Sequence, residues 1–153
     1  MKDQVETGVE KGLGAFGRIL KWDLFLFLLD IEVKRALRYQ NFFSILVLKL
    51  VRSSCGSNGE GLQACLKLLT GLLTNEIRET DIIGYLGEDK LIVLLPYADV
   101  SAGNIVKFRF ENLLRYYDLK SNGYETAIRQ VCFPMNGTST VDLMRKAMDE
   151  EIM

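Results

Sequence analysis

The chain has 153 residues, 48% of them hydrophobic, with a net charge of −1, no histidine and three cysteines. That suffices for one domain around one core, and it excludes a bulk basic field for long nucleic acid as well as the usual histidine general base or metal ligand. Cys55, Cys65 and Cys132 form no Cys-x-x-Cys pair. An odd, scattered set fits a reducing cytoplasm, with each thiol acting as a small apolar side chain.

Residues 1–21 are polar and broken by Gly8, Gly12, Gly14 and Gly17, and read as a mobile or weakly helical lead-in to a domain over 22–153. Nothing there resembles a signal peptide. From Trp22 to Tyr39 the chain lacks Gly and Pro and predicts a helix. Its first half, with Leu24 to Leu29, is apolar all round and implies burial on more than one side. That run is too short to span a bilayer, and Asp23 and Asp30 flank it. Glu32, Lys34, Arg35 and Arg38 are expected on a solvated face.

Phe43 to Leu48 predicts a central strand, and Ser53 to Gly61 a Ser/Gly/Asn loop. That loop lacks the Gly-Lys-Ser/Thr of a phosphate loop. Leu62, Cys65, Leu66, Leu69, Leu72, Leu73 and Ile77 recur at helical spacing. Two strands, at about 82–86 and 91–95, flank Gly87-Glu88-Asp89-Lys90 as a hairpin. Ala102, Val106, Phe110, Leu113, Leu114 and Tyr117 give another helix. A strand follows at about 125–132, then a loop with Pro134 and Gly137. Val141, Met144, Met148 and Ile152 mark a last helix, capped by Ser139 or Thr140. This order fits an α+β domain, a mostly antiparallel sheet flanked by helices.

The most informative stretch is Arg78-Glu79-Thr80-Asp81, then five residues, then Gly87-Glu88-Asp89-Lys90-Leu91. With Leu29 to Tyr39, Phe43 to Leu50, Ala127-Ile128-Arg129 and Asp142 to Asp149 around it, the chain over about 20–150 resembles a GGDEF domain, the nucleotidyl-cyclase-like fold of diguanylate cyclases. In that family an Arg-x-x-Asp inhibitory site lies five residues before the Gly-Gly-Asp/Glu-Glu-Phe signature. The resemblance implies that the inhibitory motif is intact and the catalytic one degenerate.

The family's first strand ends in Asp-x-Asp, whose leading Asp holds magnesium; here Lys49, Leu50 and Val51 stand there. A lysine adds positive charge where a carboxylate should cancel it. The guanine-holding Asp position falls on Gln63, and the neighbouring Asn on a shortened loop containing Asn58. Gly87 and Asp89 match the signature, but Glu88 replaces the second Gly, Lys90 the Glu and Leu91 the Phe. A carboxylate at the second position repels phosphate and blocks close backbone approach. Asp89 alone does not hold the two metals that such phosphoryl transfer uses. The resemblance therefore implies no catalytic residues, no metal ligands and no cofactor.

What the resemblance retains is a ligand site for cyclic di-GMP at Arg78, Asp81 and Arg109. Arg can donate to guanine O6 and N7, meet phosphate or stack on a base, and Asp can accept from the guanine N1–H and amine. Arg109 lies 22 positions after Gly87, where the family has a second arginine. Tyr85 stands where the family often has Arg, and reads as strand packing or a stacking face. By composition alone an Arg-x-x-Asp arises about 0.5 times in a chain of this length, so position carries the weight. The opposing reading is an ordinary surface ion pair.

The function expected is a cytoplasmic, catalytically inactive GGDEF-type receptor for cyclic di-GMP, working as a homodimer or with a partner protein. The alternatives are a nucleotide-independent dimerisation or partner-binding domain, and a degenerate cyclase that binds GTP without making product.

Overall fold

The structure, a computed structural model, describes residues 18–52, 59–117 and 123–149. Helix α1 (Trp22–Tyr39) leads into strand β1 (Phe43–Arg52), then helix α2 (Gly59–Glu76). The hairpin is β2 (Ile82–Tyr85) and β3 (Lys90–Pro96). Helix α3 (Val100–Tyr116), strand β4 (Tyr124–Phe133) and helix α4 (Thr140–Ala147) complete it. The four strands form one sheet in the order β2-β3-β1-β4, every neighbouring pair antiparallel.

β1 and β3 are continuous apolar runs because both are central and buried on both faces. Their alternation divides the core. Leu46, Leu48 and Leu50, with Leu91, Val93 and Leu95, pack under α2 and α3 against Leu69, Leu73 and Phe110. Ile45 and Val47, with Ile92 and Leu94, face α1 and α4 through Phe25, Leu29 and Leu143.

α3 is drawn close to β1 and β4 by its first turn. Asp99 caps it by accepting from the Ala102 N–H, and Gln130 donates to the Val100 carbonyl (3.1 Å). Gly103 sits against Ser44 and Gln130, where a Cβ would collide with both. α4 is capped by Ser139, which accepts from the Asp142 N–H (3.1 Å), one of the two caps the sequence offered.

Several local expectations are corrected. The loop over Ser53–Gly61 gives way to α2 at Gly59; residues 53–58, with Cys55 and Asn58, lie outside the described residues. Glu32 is buried rather than solvated, its Oε1 bonded to Arg35 (3.3 Å). Phe27 is exposed, so the apolar half of α1 buries chiefly Phe25 and Leu29. α4 ends at Ala147; Ile152 lies outside the described residues. Of the lead-in, residues 1–17 also lie outside them. Residues 18–21 pack on the sheet: Ile19 is fully buried, and Leu20 bridges to Gly84 in parallel. That pair is too short to give a period, so its strand character is invisible in the sequence.

Candidate functional site

The turn between α2 and β2 carries Arg78 and Asp81. Two bonds fold it. The Arg78 N–H donates to Asp81 Oδ2 (2.9 Å), and the Asp81 N–H donates to the Arg78 carbonyl (3.1 Å). A short acidic side chain suits this role because it reaches its own turn's backbone. The Arg78 side chain then bends back over the turn. Its Nη2 donates to Asp81 Oδ1 (3.0 Å) and to the Pro96 carbonyl at the end of β3 (3.1 Å).

The two residues differ in access. The Arg78 side chain is 60% exposed and Asp81 only 4%. Both oxygens of the Asp81 carboxylate are engaged by Arg78. In this geometry Asp81 holds the guanidinium in place, while more than half of the Arg78 side chain stays open to solvent. Asp81 thus meets a ligand only if Arg78 lets it go.

Arg109, on α3, donates from Nη2 to the Glu76 carbonyl (3.2 Å) and lies 3.6 Å from Glu76 Oε1. It caps the last turn of α2 at a place where helix carbonyls lack intrahelical donors. Both arginines are therefore anchored on one stretch, Glu76 to Asp81, and both are about half-exposed or more.

Two neighbours escaped sequence reasoning. Arg18 Nη2 donates to three carbonyls of the same turn, those of Arg78 (3.0 Å), Glu79 (3.1 Å) and Asp81 (2.7 Å). Nothing in a Gly-punctuated lead-in marks it. Tyr97 follows Pro96, takes a left-handed φ of 61° and is exposed. It is an exposed aromatic one residue after the proline whose carbonyl receives Arg78. Tyr85, by contrast, packs partly buried against the core.

The hairpin tip is separate from this turn. Gly87 has φ of 118°, a conformation that favours glycine, and its surroundings leave room for a Cβ. The Leu50 N–H donates to the Asp89 carbonyl (2.8 Å), fastening the tip to β1. There Lys49 is the direct cross-strand partner of Lys90. Among the described residues no group of three His, Cys, Asp or Glu side chains is placed to hold a metal ion.

No family model and no curated protein matches the chain. Solved structures do. The FimX GGDEF domain from Pseudomonas aeruginosa superposes with a TM-score of 0.75 at 14% identity, over 89% of this chain and 88% of that one. A DGC protein from Thermotoga maritima gives 0.72 at 16% identity, over 86% and 95%. The GGDEF domain of DgcB from Caulobacter crescentus, solved in complex with c-di-GMP, gives 0.71 at 9% identity, over 90% and 83%. At these identities the likeness is one of fold, and the α+β arrangement with its four-stranded antiparallel sheet is that of GGDEF domains. No helix among the described residues is long and apolar enough to cross a membrane.

Proposed function

We propose that this chain is a GGDEF-fold receptor that binds cyclic di-GMP at the turn carrying Arg78 and does not synthesise it. The observation that carries the reading is the presentation of Arg78. Its guanidinium is fixed by a buried carboxylate and a backbone carbonyl, yet its side chain stays 60% exposed. Such pre-organisation lowers the entropy lost when a ligand is gripped. Asp81 acts through Arg78 as a positioning residue, and Arg109 adds a second cation on the same stretch. A guanidinium suits a phosphate oxygen or a guanine edge and plane.

The loss of synthesis is supported at the hairpin, where Lys49 and Lys90 face each other and Glu88 replaces a glycine. Neither lysine offers a carboxylate to the metal ions that would neutralise a triphosphate.

A second reading is favoured by one observation. The Asp81 carboxylate is already satisfied, so the Arg78–Asp81 pair also serves as a staple for its turn, and the domain then acts by holding a protein partner without nucleotide. Calorimetry separates the readings. Saturable heat with cyclic di-GMP, and none with GTP, is the expected result. No saturation at high micromolar ligand overturns the receptor, and tight GTP binding favours a degenerate cyclase instead.

A further inference from the structure

The two edges of the sheet are treated differently. β2 has four residues, and its outer side is closed by Leu20, which donates to the Ile83 carbonyl (2.9 Å) and accepts from the Tyr85 N–H (3.0 Å). β4, at the opposite edge, has ten residues. Its Cys132 N–H donates to Asn136 Oδ1 (2.8 Å), and its carbonyl accepts from the Asn136 N–H (2.8 Å). The backbone groups of Cys132 therefore point away from β1. Alternation along an antiparallel strand turns those of Gln130, Ile128 and Thr126 the same way. No backbone hydrogen bond from the described residues reaches these three outward sites. An open row of this kind is a template for another strand.

Beside it runs a groove of about 600 Å³. α3 forms one wall with Val100, Asn104, Lys107 and Glu111, a single stripe of the helix, and the other wall runs from Thr126 to Gln130 and on to Cys132 and Asn136, with the start of the helix beside Ser44, the partner of Cys132. Neither Lys107 nor Glu111 has an ion-pair partner among the described residues.

We infer that this edge is the contact between two copies of the chain, with β4 paired antiparallel to β4 of a second copy about a two-fold axis through Ile128. In that register Ile128 meets Ile128, and Thr126 meets Gln130 of the other copy, twice. Every open residue faces an open residue. Shifting by two residues would bring in Cys132, whose groups Asn136 already holds, or leave one open residue without an open partner.

The helices fit the same operation. Paired strands lie about 4.8 Å apart, and α3 packs over both β1 and β4, about half a strand spacing in from the edge. The two α3 helices then run about 10 Å apart, the spacing of packed helices. They run antiparallel, so Lys107 of one copy faces Glu111 of the other, and the reverse. This charge complementarity commits the groove to a second copy rather than to a foreign strand. The contact is isologous and closes after two copies. It needs no nucleotide, so it stands or falls apart from the receptor reading.

Sedimentation velocity of the full chain without nucleotide, at rising concentration into the high micromolar range, tests it. A reversible dimer is expected. Lys107→Glu sets like charges across the axis and raises the dissociation constant about tenfold. Adding Glu111→Lys to that variant restores dimerisation, which a mere folding defect would not do. Ile128→Cys is expected to give a disulfide-linked dimer on oxidation, above the wild-type background, because paired residues there lie about 5.5 Å apart at Cα. A strict monomer, a dimer indifferent to both charge changes, or no added cross-link overturns the inference.

Discussion

Lys49 on β1 lies directly across from Lys90 on β3, at the end of the sheet beside the hairpin tip. Neither residue supplies the carboxylate that metal-dependent phosphoryl transfer would need at this end of the sheet. Incubation of the wild-type protein with GTP and Mg²⁺ is expected to yield no cyclic di-GMP. Clear product in a chromatographic assay would refute the degenerate-site reading.

The turn predicts an unequal pair of mutants. Arg78→Ala is expected to weaken cyclic di-GMP binding by about 1.5–3 kcal/mol, the range for a hydrogen bond to a charged group. Its effect on stability should be small, since the side chain is 60% exposed. Asp81→Ala should lose binding through the released arginine and also destabilise the fold, by about 1–3 kcal/mol, because the buried turn loses its acceptor. Arg109→Ala should cost less binding than Arg78→Ala. Parallel titrations and denaturant curves check all three; equal stability losses for Arg78→Ala and Asp81→Ala would contradict the division of roles.

Gly84 allows α1 to rest on β2. A Cβ there would stand 2.7–2.8 Å from the Phe25 side chain, which is fully buried and cannot swing away. Gly84→Ala is expected to destabilise by about 1–3 kcal/mol through overpacking. The larger truncation at Phe25 in the same background should relieve part of that penalty, a coupling that a double-mutant cycle measures.

Acid should loosen the joint between α1 and α4. The Asp30 carboxyl is held below its ordinary value of 3.8 by bonds from Lys34 and Thr140, the latter at 2.9 Å. A lowered folded-state pKa contributes stability that is present above the unfolded value and lost as pH falls through the folded one. The contribution is thus complete at neutral pH and declines below about 3.8. Asp30→Asn should flatten that part of the stability-versus-pH curve, as urea unfolding at several pH values would reveal.

Much of this fold was legible because its periods are strong. α1 runs over Trp22–Tyr39 as its unbroken pattern predicts, and the hairpin sits where Gly87 falls between two apolar runs. The helix-like order and the antiparallel sheet followed from those elements. Glu32 was illegible because its burial depends on how α1 is turned toward the sheet, which a charged pattern alone does not encode. At the site, the spacing of Arg78 and Asp81 announced a pair, yet not which partner would be buried. Nor did it announce the Pro96 carbonyl, eighteen residues away in sequence, which also receives the guanidinium. Arg109 was found by position, while its actual neighbour, Glu76, gave no signal.

Arg18 grips three carbonyls of the Arg78 turn with one Nη2, and Leu20 is stitched to β2 two residues later. The strand-like entry to the domain and the exposed arginine thus form one mechanical unit. A pull on the chain at Arg18 arrives first at the carbonyls that shape Arg78, before it reaches α1. By the symmetry of linkage, whatever steadies that arginine also steadies the entry segment, and Arg18 is the rivet through which each would sense the other.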